Sequence, residues 1–273
     1  MDLRQKRRRT MTRRALMTAA GISLLVGIDQ ARSEADRLQV EHRQLRLPNW
    51  TIGNLRIAFL TDWHLSSERA ERRTREAIDQ ARSHKPDLVL LGGDYISSAL
   101  RWKPDWMSSC LSDLAALKCP VRGVFGNHDL DARSQIAEMM RDAGMPLLVN
   151  EATTLAGLTL VGIDDGITGF PNLEMVPAFR GQSNVVLLFH EPDYAEGLVQ
   201  NASLTLCGHT HGGQICLPGG FPMHLPKGGR NFVGGTFEIA EKLMYVSRGI
   251  GTSGPAVRAF CRPEISILDL RSQ

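Results

Sequence analysis

Nearly unbroken apolar runs punctuate this chain, and five of them stop at Asp, Asn or His. Residues 55–60 lead into Thr61-Asp62-Trp63-His64, and 87–91 into Gly92-Gly93-Asp94. Residues 121–125 lead into Gly126-Asn127-His128-Asp129, 185–189 into His190-Glu191-Pro192, and 204–207 into Gly208-His209-Thr210-His211. Such short runs without alternation predict strands buried on both faces. Helical spacing over 68–83, closed by Lys85-Pro86, and over 104–117, with Pro104 in the first turn, predicts two helices. A third runs from about Ala132 to Ala143 and stops at Gly144. Rough alternation over 38–47 before Pro48-Asn49 predicts an edge strand. Further strands are expected near 147–149, 153–155, 158–163, 242–247 and 264–270, and residues 217–235 read as a long Gly- and Pro-rich loop.

The early half thus alternates strand and helix, and the later half is mainly strand. That order predicts an α/β fold of two packed mixed sheets flanked by helices. Ligands in such folds gather beyond the carboxyl ends of strands, where the polar residues fall. With 273 residues and no internal repeat or linker, one large domain over 36–273 is the simplest count, preceded by a distinct segment 1–35.

Charge separates those two parts. Residues 1–35 hold eight Lys or Arg against three Asp or Glu, leaving 24 basic and 26 acidic residues in the remainder of a chain whose net charge is +3. The domain therefore lacks the basic surplus of a nucleic-acid binder. Seven basic residues from Arg4 to Arg14 precede an apolar stretch over 15–28, too short to span a bilayer. Thr12-Arg13-Arg14-Ala15-Leu16-Met17 resembles the twin-arginine export motif. The expectation is export by that machinery to the periplasm or the outer face of the inner membrane. Ser33-Glu34-Ala35 is a candidate cleavage site, and an uncleaved leader anchoring the protein at the membrane surface is the alternative. Five cysteines, an odd number outside any CxxC pattern, predict no complete disulfide framework. Cys207 and Cys216 flank the His pair, but Cys207 sits inside an apolar run and reads as buried and structural.

Collected at the strand ends are Asp62, His64, Asp94, Asn127, His128, His190, His209 and His211. Each alone has a structural reading as a turn, cap or core residue. Together they offer more nitrogen and oxygen donors than one ion needs, which suits two divalent ions sharing a carboxylate. Asp62-x-His64, Gly93-Asp94, Gly126-Asn127-His128-Asp129, His190 and Gly208-His209-x-His211 resemble, in order, the motifs of the calcineurin-like metallophosphoesterases. Residues 190–193, 208–218 and 247–251 are similar to their bacterial envelope-associated branch.

The resemblance implies an α/β/β/α sandwich and a phosphoric ester hydrolase, with phosphodiesterase favoured over monoesterase. It implies that Asp62, His64 and His211 hold one metal, that Asn127, His190 and His209 hold the other, and that Asp94 bridges them. His128 would face the substrate and protonate the leaving oxygen, with Asp129 orienting it, while a metal-bridging hydroxide attacks phosphorus in line. Manganese, iron or zinc fits the donor types, with manganese favoured.

Arg248 and Lys227 are candidates for binding substrate phosphate. The apolar residues of the 217–235 loop have two readings, a seat for a lipid-linked phosphate or simple packing onto the domain. A nuclease or nucleotide phosphodiesterase is the alternative enzyme. A scaffold that binds metal without catalysis, or a periplasmic metal handler, is the alternative of a different class.

Overall fold

The computed structural model describes residue 27 and residues 29–273. One sheet contains β1 (Gln39–Leu47), β2 (Leu55–Leu60), β3 (Leu88–Leu91), β4 (Val121–Gly123) and β13 (Glu264–Ser272), in the order β1-β13-β2-β3-β4. The second contains β5 (Glu151–Leu155), β6 (Leu158–Gly162), β7 (Val185–Leu188), β8 (Leu204–Cys207), β11 (Gly235–Ile239) and β12 (Lys242–Val246), in the order β11-β12-β8-β7-β6-β5. Both sheets are mixed. β2, β3 and β4 run parallel, as do β6, β7, β8 and β12, while β13, β5 and β11 each pair antiparallel to a neighbour.

Four layers result from where alternate side chains point. In β3, Val89 and Leu91 join Ala77, Ile78, Met107 and Leu111 in a core beneath the helices α1 (Glu68–Ser83), α2 (Pro104–Ala115) and α3 (Arg133–Asp142). Leu88 and Leu90 turn the other way, toward Val186, Leu188, Leu204 and Leu206 of the second sheet. Val185, Leu187 and Val246 then pack on Val176, Ala195 and Val199 in a third core, beneath short helical turns. A strand packed on both faces has no polar side to alternate with, which is why β3 and β7 read as continuous apolar runs. Each fully buried Leu or Val stabilises by roughly 1.5–3 kcal/mol.

α1 starts where Ser67 accepts a hydrogen bond from the Ala70 amide (3.2 Å), with Glu68 and Glu71 in its first turn. β1 lies at a sheet edge, as its alternation predicts. The 217–235 region is more ordered than a loop: β9 (Cys216–Leu217) and β10 (Phe221–Pro222) form a small hairpin, and β11 begins at Gly235.

The twin-arginine residues and most of the apolar stretch after them lie outside the described residues. Residues 29–34 are helical, and the chain from Ala31 to Asp36 is fastened to the domain. Ala35 is fully buried, Asp36 pairs with Arg69 (2.7 Å), Ala31 O accepts from Arg258 N (2.9 Å), and Glu34 Oε1 accepts from Cys261 N (2.8 Å). The expected border between residues 35 and 36 therefore runs through a packed segment, and the candidate cleavage site ends on a buried residue. No helix among the described residues is long and apolar enough to cross a membrane.

Candidate metal centre

β2, β3 and β4 of the first sheet and β7 and β8 of the second all release their chains toward one cleft. The release is a sharp turn. Asp62, His64, Asp94, His209 and His211 adopt left-handed backbone conformations, with φ of 56°, 50°, 56°, 72° and 51°. Non-glycine residues there cost on the order of 1–3 kcal/mol each and persist only where their surroundings hold them. Here hydrogen bonds do so: Asp62 N to Gly93 O (2.9 Å) and His64 N to Asp94 O (3.0 Å). Two glycines admit the carboxylates. A Cβ on Gly208 would stand 2.5 Å from Asp62 Oδ2, and one on Gly126 would stand 2.3 Å from Asp94 Oδ1.

Three donor groups result, Asp62-His64-His211, Asp94-His190-His209 and His64-Asp94-His128, each with donor atoms within 4.8 Å of one another, and the first two, which share no residue, form the two triads of the centre. His64 Nε2 lies 2.9 Å from His211 Nε2, and His211 Nε2 lies 3.6 Å from Asp62 Oδ1. Asp94 Oδ2 stands 3.4 Å from His64 Nε2 and 3.3 Å from His190 Nε2, so one carboxylate oxygen faces both triads. Two adjacent ligands on one ion, with bonds of about 2.0–2.2 Å, stand about 2.8–3.6 Å apart, and these separations fall in that range. Asn127 Oδ1 is buried with no hydrogen-bond partner, whereas His190 Nε2 has only Asp94 Oδ2 at 3.3 Å. A buried orphan oxygen needs a partner, and a cation supplies one. His190 Nδ1 faces Gly92 O (2.7 Å) and His209 Nε2 faces Lys227 O (2.8 Å), which leaves the opposite ring nitrogen of each free to bind metal. These residues fit a pair of divalent ions.

Electrostatics agree. Burial holds His64 at about 3 and His209 at about 4, and drives His211 well below its usual value, so all three are neutral donors. Burial opposes the charge on Asp94, but the positive charge and contact of His190, then His64, hold its carboxyl well below the ordinary range. Burial likewise opposes protonation of His190, yet Asp94 raises it well above its ordinary value. In the metal-free chain, Asp94 and His190 form a buried ion pair. Asp62 rises to about 6 through burial and Asp94, with His190 opposing.

His128 lies beside the triads, its ring 4.8 Å from that of His64 and its Nδ1 3.0 Å from the Ser97 carbonyl. Asp129 does something other than grip the His128 ring. Its oxygens accept from the amides of Asp94 (3.0 Å), Tyr95 (2.8 Å), Ile96 (3.3 Å) and Gly126 (2.9 Å). It thereby holds the turn that carries Asp94.

A cavity of about 390 Å³ opens over the triads, with Ile215, Met223, Pro226 and Pro255 on its outer wall. Neither Arg248 nor Lys227 is among its lining residues. Arg248 lies 3.7 Å from Glu264, and Lys227 contributes its carbonyl to His209 while its side chain is exposed. His224, outside the expected set, does line the cavity. The most consequential residue that sequence reasoning passes over is Arg258. Fully buried, it donates to the carbonyls of Arg248 (2.8 Å), Gly249 (3.1 Å), Gly251 (2.8 Å) and His211 (3.1 Å). It locks the turn bearing His211 to the one after β12. Cys207 faces the third core, and Cys216 Sγ donates to Gly212 O (3.4 Å).

Comparison with known proteins covers the stretch that carries these residues. A family model described as calcineurin-like phosphoesterase matches residues 55–213, the stretch from β2 to the His209-x-His211 turn. The chain is 34% identical to phosphodiesterase YaeI of Escherichia coli K12 over 79% of its own length and 82% of that protein's. It is 33% identical to an uncharacterized metallophosphoesterase, Cj0846, of Campylobacter jejuni, over 86% of its own length and 64% of that protein's. It is 28% identical to an uncharacterized metallophosphoesterase, YkuE, of Bacillus subtilis, over 80% and 79% of the two chains. With its motifs, its donor triads and these relatives in agreement, the chain belongs to the calcineurin-like phosphoesterase family.

Proposed function

We propose that the protein is a two-metal phosphodiesterase acting on the exported side of a membrane surface. The observation that carries the hydrolytic reading is Asp94 Oδ2, 3.4 Å from a histidine of one triad and 3.3 Å from a histidine of the other. Asp62, His64 and His211 would hold one divalent ion, Asn127, His190 and His209 the other, with Asp94 shared. Such ions supply Lewis acidity toward the phosphoryl oxygens and a hydroxide nucleophile near neutral pH. Imidazole with oxygen donors suits manganese, iron or zinc, and the resemblance to the envelope-associated branch favours manganese.

The chain's own residues do the rest. His128, its Nδ1 3.0 Å from the Ser97 carbonyl, gives its Nε2 proton to the leaving oxygen. Asp129 fixes the amides around Asp94 and keeps that carboxylate aimed into the cleft. Among the described residues no Lys or Arg lines the cavity, which favours a diester, with its single negative charge, over a dianionic monoester or a nucleic acid that needs a cationic track. The name of the Escherichia coli relative supports the same preference. The basic and then apolar leader supports export and surface attachment.

The test is hydrolysis of matched aryl phosphate mono- and diesters by metal-stripped protein after adding back manganese, zinc, iron or magnesium. Metal-dependent turnover that prefers the diester is expected. Two ions bound per chain with neither ester hydrolysed would sink the proposal.

A further inference from the structure

Beside the mouth of the metal cavity the molecule presents apolar side chains to solvent. Leu217, Phe221, Met223 and Phe260 are 54%, 68%, 65% and 59% exposed. They belong to one surface. Phe221 pairs directly with Leu217 across the β9–β10 hairpin, and Met223 N donates to Ile215 O (3.0 Å). Cys216 N donates to Ala259 O (2.9 Å), which brings Phe260 alongside the hairpin. Met223 also lines the cavity, so the surface runs into its outer wall. Contiguous exposed apolar surface of more than a few hundred Å² marks protein, ligand or membrane contact sites.

Two independent features say what the partner is. Residues 214–237 and 247–263, which build this face, contain no Asp or Glu, in a domain whose acidic residues outnumber its basic ones. The same segments carry exposed Lys227, Arg230 and Arg262, and the carboxylates that meet them from other elements, Asp193 on the amides of Arg230 and Asn231 and Glu34 on that of Cys261, are engaged in hydrogen bonds. The segment 258–261, which carries Phe260, is also where the chain emerging from the leader docks, through Arg258 N to Ala31 O (2.9 Å) and Cys261 N to Glu34 Oε1 (2.8 Å). Immediately before that docking point the sequence is apolar over 15–28 and basic over 4–14.

We infer that the hairpin tip and Phe260 form a docking face for an anionic lipid bilayer, seated beside the leader, with the metal cavity opening at the lipid–water boundary. Apolar side chains enter the headgroup region while the flanking cations meet anionic lipid. The inference rests on the membrane-surface location proposed above and assigns the surface that meets the lipid.

The leader alone could carry the chain to vesicles, so the test must read the face itself. Tryptophan is introduced at the hairpin (Phe221→Trp) or, as control, at exposed Asn54 before β2, the end of the strand opposite Asp62. The full-length chains are mixed with phosphatidylglycerol vesicles bearing brominated acyl chains. After subtraction of the parent spectrum, which carries the four native tryptophans, the Phe221→Trp emission is expected to shift to the blue and be quenched, and the Asn54→Trp emission to stay unchanged. Pure phosphatidylcholine vesicles should bind on the order of tenfold more weakly. Co-flotation without quenching at position 221 would overturn the inference, leaving the leader as sole anchor. A lipid-independent blue shift accompanied by dimerisation would overturn it in favour of a second copy of the chain. Soluble diester turnover is measured in parallel, in the parent and in a Phe221→Asp/Phe260→Asp double variant. Unchanged turnover with binding lost supports the docking face. Absent turnover in the parent counts against the proposed enzyme and leaves the quenching result to decide this inference.

Discussion

Replacing Asp94 with Asn removes a charge while preserving shape, and its consequence for the metal-free protein can be worked from the structure. The Asn oxygen can still accept the His128 amide that Asp94 Oδ1 accepts at 2.8 Å. What disappears is the counter-charge of His190, 3.3 Å away, with both side chains at most 2% exposed. Breaking a buried pair by removing one member typically costs about 3–5 kcal/mol, because the survivor is left charged in a poor solvent. The loss depends on pH. His190 is raised when folded, so its contribution is complete below the unfolded value of about 6.5 and fades as pH rises through the raised folded value. Asp94 is depressed when folded, so its contribution is complete above about 4 and fades as pH falls through the depressed value. Urea unfolding of chelator-treated parent and variant should therefore differ by about 3 kcal/mol or more between roughly pH 4 and 6.5, and the gap should narrow above. Equal stability at pH 6, or a gap that widens with pH, would refute the ion-pair argument.

Four further outcomes are expected. Metal binding must displace the His190 proton, so affinity should rise by up to about tenfold per pH unit from about 6.5 to the raised His190 value; calorimetry in buffers of different ionisation enthalpy would detect that proton. His128→Gln should keep both metals by elemental analysis and lose on the order of 10²–10⁴-fold in turnover; lost metal would make His128 a ligand instead. Gly208→Ala would bring a methyl 2.3 Å from Thr61 Oγ1 and 2.5 Å from Asp62 Oδ2, so metal content should fall, with a stability loss of about 1–3 kcal/mol by thermal melts. Arg258→Met leaves the carbonyls of His211, Arg248, Gly249, Gly251 and Cys261 short of a donor; a loss of about 2–4 kcal/mol and weaker metal retention are expected, and unaltered metal binding would mean the guanidinium does not position His211.

Most of the layer order and the candidate donors are legible because a polar residue at the end of a buried strand interrupts an otherwise continuous apolar run. Asp62, Asp94, His190 and His209 announce themselves in that way. β11 does not, because Gly-Thr-Phe-Glu-Ile starts where a glycine-rich loop is expected to end and sits at a sheet edge with weak alternation. Arg248 and Lys227 attract notice for their charge, but the backbone decides their use: one side chain turns to Glu264, and the other residue serves through its carbonyl. Asp129 reads as a partner of the histidine beside it, yet three of its four donors are amides more than 30 positions earlier. Arg258, between Val257 and Ala259, belongs to no periodic pattern at all. Contacts between distant turns leave no local signature.

The ligands at the ends of β2 and β8 carry a consequence for how the protein is made. Asp62 and His211 are 149 positions apart, and the first triad takes residues from both sheets. Closing a loop of that length costs entropy that only extensive non-local pairing offsets. No partial chain ending before β8 contains either complete triad, and the two sheets must pack before the triads exist. Metal therefore enters a nearly finished molecule. Added ions are expected to slow unfolding without speeding refolding, and faster refolding would place the site in the transition state.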